Sequence, residues 1–107
     1  FEKLEASYQS ELSTLQKKVE AKKIDRTQYA VLLDELEYVD QIENEFKQDI
    51  PLTNDREKLA AILIDTYEKK IMLLERLLLQ IDRDEKQEQK LKKNWVPLNN
   101  SNKSLSL

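Results

Sequence analysis

The 107-residue chain has no glycine, no cysteine and no histidine, and only two prolines and one tryptophan. An average protein carries roughly 7% glycine, so its absence excludes a good deal. No Gly-rich loop can cradle a phosphate, no dinucleotide-binding fingerprint exists, and no turn rests on a left-handed glycine. Without cysteine there is no disulfide framework and no thiol chemistry. Without cysteine and histidine the usual zinc sites and the commonest general base are gone as well. No nucleophile stands paired with a base, so neither catalysis nor a cofactor is expected. No apolar run approaches the roughly 18–20 residues of a membrane-spanning helix. The most apolar stretch, residues 66–81 (TYEKKIMLLERLLLQI), holds Lys69, Lys70, Glu75 and Arg76.

Charge of one sign is also lacking. Eighteen Lys and Arg face 21 Asp and Glu, for a net charge of −3, and the two signs alternate along the chain. A nucleic-acid binder gathers its basic residues on one face, so no nucleic-acid partner is expected.

What is present favours helices. Charged residues make up 36% and hydrophobic residues 39% of the chain, a balance that suits amphipathic helices around a modest core. Leu4, Tyr8, Leu12, Leu15 and Val19 recur every three or four residues and predict a first helix over residues 2–23. Asp25 with Gln28 three residues later predicts a capping box that opens a second helix, about residues 26–48. Its apolar face is Tyr29, Leu32, Leu33, Leu36, Val39 and Phe46, with Ile42 or Glu43 at the margin. Pro51 closes it. Asn54, with Glu57 as its box partner, predicts the start of a third helix.

That third helix carries the seam Ala60, Leu63, Tyr67, Ile71, Leu74, Leu78 and Ile81, widened by Leu59, Ile62, Ile64, Leu73, Leu77 and Leu79. An apolar arc so broad touches two neighbours. Short connections favour antiparallel neighbours. The fold expected is all-α: an antiparallel three-helix bundle with a long, projecting third helix and an irregular C-terminal tail. The bundle occupies residues 1–82, a charged helical extension 83–93, and the tail 94–107. A third helix reaching Lys92 measures roughly 57 Å at about 1.5 Å per residue, against roughly 33 Å for the first two.

Candidate sites are few. Asp34, Glu35, Glu37, Asp40, Glu43, Glu45 and Asp49 form an acidic run on the second helix. Such residues can hold a hard cation, but in three thin helices they are read as a solvated, salt-bridged face, and no metal is expected. Tyr8, Tyr29 and Tyr67 lie on the seams and are assigned to the core, with their hydroxyls at its rim. Tyr38 falls off its seam. Trp95, Val96 and Leu98 stand together in a polar tail, either tucked onto the bundle or free to dock elsewhere. The candidate partner-binding residues are therefore Leu73, Leu77, Leu79, Tyr38, Trp95, Val96 and Leu98. The partner expected is a protein, another copy of the chain included.

Two segments carry a resemblance. ELEYVDQIENEFKQDI, residues 35–50, is similar to a helix of the type ELxxLDxxYxxLKxDL through Glu35, Leu36, Asp40, Lys47 and Asp49, with Val39, Phe46 and Ile50 as apolar equivalents. AAILIDTYEKKIMLLERLLLQI, residues 60–81, is similar to AMIxNYxxKLxxLExLLxQI through Tyr67, Lys70, Ile71, Leu74, Glu75 and Ile81. Both patterns resemble the extracytoplasmic helical domain of single-pass membrane anti-sigma-factor-like proteins of Gram-negative bacteria. The likeness covers roughly residues 4–82. It departs at Glu43, where the family pattern tends to Tyr, and from Asp84 onward. It implies a periplasmic domain, tethered by a span preceding Phe1, that regulates transcription through an extracytoplasmic-function sigma factor bound elsewhere in the protein. The domain itself would sense a signal, contact a receptor or dimerise. The alternative is a helical scaffold or coiled-coil module unconnected with transcription, in the cytoplasm.

Overall fold

The computed structural model describes the backbone of residues 2–49 and 55–105, and the side chains of residues 2–49 and 55–92. The described residues form three helices and no strands: α1 (Glu2–Ala21), α2 (Ala30–Asp49) and α3 (Arg56–Leu105). None of the helices, over the described residues, is long and apolar enough to cross a membrane.

α3 is the element on which the others rest. The backbones of α1 and α2 each run close to α3 and only marginally approach one another. The arc along α3 explains this. Leu63, Tyr67 and Leu74 face Leu12 of α1, with Tyr8, Leu15, Val19, Leu36, Phe46 and Ile71 packed around them. Leu77 and Ile81 face Tyr29, within Val19, Ile24, Leu32, Leu33 and Leu36. Val19 and Leu36 touch both clusters and join them into one core. Tyr67, Leu63 and Leu77 are fully buried. Each such side chain contributes about 1.5–3 kcal/mol relative to exposure.

Polar contacts fix the register. In α1, Glu5 accepts from the Tyr67 hydroxyl (3.0 Å) and Tyr8 donates to Glu68 (2.8 Å). Just past its end, Lys22 meets Glu85 at 3.0 Å and Asp82 at 3.5 Å. From the other neighbour, Tyr29 donates to Asp84 (2.7 Å), while Asp40 and Glu43 lie on Lys70. Rising numbers on α1 therefore meet rising numbers on α3, and rising numbers on α2 meet falling ones.

The ends of the helices differ from the sequence expectation. The Asp25 carboxylate accepts from the Thr27 N–H (2.9 Å), and residues 26–29 form a turn, so α2 starts at Ala30 instead of Arg26. The Gln28 side chain, expected to close a capping box, instead donates to Asp84 on α3 (3.2 Å). Asp25 satisfies a tight local turn before the helix proper begins, as Asp side chains commonly do. Asn54 lies outside the described residues; Asp55 caps α3 through the Lys58 N–H (3.2 Å). The irregular tail expected over 94–107 is another correction, because the backbone stays helical through Leu105. Helix elongation is cheap once nucleated, and no glycine supplies a left-handed stop. Pro97 merely lacks the N–H that would reach the Lys93 carbonyl.

Candidate functional site

Two features stand out from a core of ordinary aliphatic packing. The first is a charged cluster buried between α2 and α3. Lys70 is 6% exposed and Glu43 7%, values usual for leucine and rare for charged groups. Lys70 Nζ lies 2.6 Å from Asp40 Oδ1 and 3.2 Å from Glu43 Oε2. Lys47 approaches the other Glu43 oxygen at 3.6 Å and places its ammonium 5.6 Å from the centre of the Tyr67 ring. The Tyr67 ring lies 6.0 Å from that of Tyr8. Burial by itself lowers the pKa of the Lys70 ammonium, but its hydrogen bond to Asp40 and the charges of Glu43 and Asp40 outweigh this and hold it above the ordinary lysine value. Among the described residues, no buried side-chain nitrogen or oxygen lacks a hydrogen-bond partner. Thr66, also buried, donates to the Ile62 carbonyl.

The cluster's cation is pinned by two carboxylates. The described residues hold no group of three or more His, Cys, Asp or Glu placed to bind a metal ion. What the cluster does is fix register: sliding α2 by one turn along α3 would separate a buried ammonium from its buried carboxylate, at a cost of several kcal/mol.

Tyrosine hydroxyls tie both neighbours to α3 at the rim, Tyr29 from the α2 side and Tyr67 to Glu5 of α1. Burial first, then the Asp84 hydrogen bond, push Tyr29 up to about 12, and burial with the Glu5 hydrogen bond does the same for Tyr67. A free phenol titrates near 10. The folded state thus holds these protons more tightly than the unfolded chain does. Their stabilisation is complete below about pH 10 and is lost as pH rises through about 12. An alkaline titration followed by circular dichroism and phenolate absorbance is expected to show unfolding and ionisation of Tyr29 and Tyr67 together. Tyr29→Phe and Tyr67→Phe each remove part of that dependence.

The second feature is an open groove of about 340 Å³ between α2 and α3, lined by Glu35, Tyr38, Val39, Ile42, Ile62, Asp65, Thr66, Lys69, Met72 and Leu73. The α3 residues on it stand at helical spacing on the side away from the Leu63–Tyr67–Leu74 seam that faces α1. Buried Val39 and Leu73 form its floor, and exposed Tyr38 (64%) and Met72 (48%) rise at its edges. Larger depressions elsewhere are rimmed by charge, one by Asp25, Asp84, Glu85 and Glu88, another by Glu2, Glu5, Arg56 and Glu57.

The structure distributes the sequence-derived contact residues unevenly. Tyr38 and Leu73 come together in the groove. Leu79, 55% exposed, lies two turns beyond Met72 on the same side of α3. Leu77 is fully buried against Tyr29 and Ile81 and cannot contact a partner while the bundle is closed. Its phase on α3 falls toward α2, which covers it. The side chains of Trp95, Val96 and Leu98 lie outside the described residues. The sequence reading missed Met72 as an edge residue and Lys70 as a buried one. Comparison with protein-family models, curated proteins and solved structures finds no match to this chain.

Proposed function

We propose that this chain is a non-enzymatic helical interaction module whose α2–α3 groove receives a further helix. The observation that carries the reading is the groove itself: an apolar floor flanked by a large exposed aromatic and an exposed methionine, residue types favoured where proteins bind one another. A helix laid there would meet Tyr38, Ile42, Met72 and Leu73 at the spacing of two facing helices. The module is an antiparallel bundle with α3 projecting beyond the other two helices. The cross-helix pairs that run in opposite chain directions between α2 and α3 support this, as does the exposure of every residue from 85 to 92. A photo-crosslinking residue at position 38 or 72 in the protein in its own cell tests the reading. Adducts at these positions, and none at Glu11 or Lys17 on the exposed face of α1, are expected. Equal or absent labelling at all four sites would refute it.

A second reading places the module in the periplasm as the regulatory domain of a membrane-anchored anti-sigma factor. What supports it is that positions carrying the resemblance meet in space: Asp40 pairs with Lys70, and Lys47 lies over Tyr67. The test is the gene: an apolar span of about 20 residues encoded upstream of Phe1, beside a sigma-factor gene. An upstream reading frame without any such span would sink this reading and leave the first intact.

A further inference from the structure

We propose that the occupant of the groove is a second copy of this chain, docked about a two-fold axis parallel to the helices, so that α2 of each copy lies on α3 of the other. This rests on the reading of the groove as an interface.

The charges on the two walls carry the argument. On the groove side, α2 presents Val31, Glu35, Tyr38, Ile42 and Glu45 at steps of three and four, and both charges are acidic. The facing strip of α3 continues Lys69 and Met72 into Arg76 and Leu79, and both of these charges are basic. Asp65 lies at its N-terminal end. Glu35, Glu45, Lys69 and Arg76 are all exposed, and none forms an ion pair or side-chain hydrogen bond within the described chain. The groove thus has an acidic wall on α2 and, past Asp65, a basic wall on α3, and these four charges are unmatched.

Levels along the bundle turn this into a geometry. Tyr29 stands beside Asp84, and Glu43 beside Lys70. With the same rise of about 1.5 Å per residue on both helices, Glu45 lies nearly level with Lys69, and Glu35 with Arg76, Tyr38 with Met72 and Val31 with Leu79 each lie less than one turn apart in height. A two-fold axis parallel to the helices keeps every level and exchanges the walls. Glu35 of one copy then meets Arg76 of the other, Tyr38 meets Met72, Val31 meets Leu79, and Glu45 approaches Lys69. Each contact occurs twice, as an isologous interface requires. A two-fold axis across the helices would instead lay acid on acid along α2 and base on base along α3, which like-charge repulsion opposes.

Sedimentation velocity over a wide concentration range, on the whole chain, tests the proposal. The wild type is expected to pass from monomer to dimer. Arg76→Glu places two like-charge pairs in the interface and is expected to weaken association by about tenfold or more. Glu35→Lys does the same. The double variant E35K/R76E restores the pairing with its signs exchanged and recovers most of the affinity. Both sites are exposed, so thermal unfolding of the variants at low concentration should match the wild type and exclude misfolding as the cause. A dimer indifferent to the single reversals, or a double variant as weak as either single one, overturns the proposal. A chain that stays monomeric throughout overturns it too. If crosslinks at positions 38 and 72 then join a different protein, the groove remains an interface with another occupant. If they join nothing, the interaction reading fails with it.

Discussion

Replacing Lys70 with methionine is expected to destabilise the fold by about 3–5 kcal/mol, the usual cost of removing one partner from a buried ion pair. Small domains have only about 5–15 kcal/mol in all, so the variant stands near the edge of folding. The loss comes from what is left behind. Glu43 stays 7% exposed with Lys47 as its remaining partner, 3.6 Å away on the bundle surface. Asp40, half exposed, returns to water at little cost. The companion variant tests the cause. In K70M/E43L the orphaned carboxylate is gone, and apolar replacement of both members of a buried pair is commonly neutral or stabilising. Urea unfolding should therefore show K70M with a much lower midpoint and K70M/E43L close to the wild type. Lys47→Ala, which removes a partly exposed cation, should cost about 1 kcal/mol or less. A mild K70M, or a double variant as unstable as the single one, would contradict the pairing.

Leu77→Ala is expected to cost about 2–5 kcal/mol, the range for emptying a leucine-sized volume in a packed core. Leu77 is fully buried among Tyr29, Ile81 and the α2 leucines. For a domain of 60–100 residues each kcal/mol lowers the melting temperature by about 4–8 °C, so thermal unfolding should fall by about 8 °C or more. Leu79→Ala, two residues along but 55% exposed, should change stability by no more than about 0.5 kcal/mol. The contrast divides a flank that the sequence presents as one. Equal effects at the two sites would mean that α2 does not cover Leu77.

How much of this was legible in the sequence follows from what periodicity records. Apolar residues at three- and four-residue steps located three helices, and their overlap on the third identified it as the helix touching both others. The same signal is blind to a charge at a core position. Lys70 lies three residues after Tyr67 and four before Leu74, and Glu43 four after Val39 and three before Phe46. Each occupies a buried phase, but a pattern built on hydrophobicity treats it as a gap. Two opposite charges at core phase on neighbouring helices were the available clue. Leu73 and Leu77 showed the converse problem: their side of α3 was correctly read as apolar, but whether α2 or solvent met it depended on the rotation of the packed helices. The tail read as irregular because Pro97, Asn and Ser favour turns, whereas the helix met no glycine to end it. Asp25 was found as a cap, yet the turn it closes, not the helix it was assigned to, takes up the residues after it.

Because α1 and α2 lean on α3 far more than on each other, the bundle need not open as a unit. α2 reaches α3 across a short connection, and its buried pair lies 27 residues apart in sequence. α1 reaches α3 only across the whole of α2, through pairs 60 or more residues apart. Longer loops cost more entropy to close, though slowly, and among the described residues α1 holds α3 through a leucine seam, rim hydrogen bonds and the part-exposed Lys22 pairs, without a buried ion pair. The α2–α3 hairpin is thus the natural early assembly and α1 the last element added. Local opening should release α1 first, leaving the hairpin and its groove in place while the Leu63–Tyr67–Leu74 side of α3 is exposed.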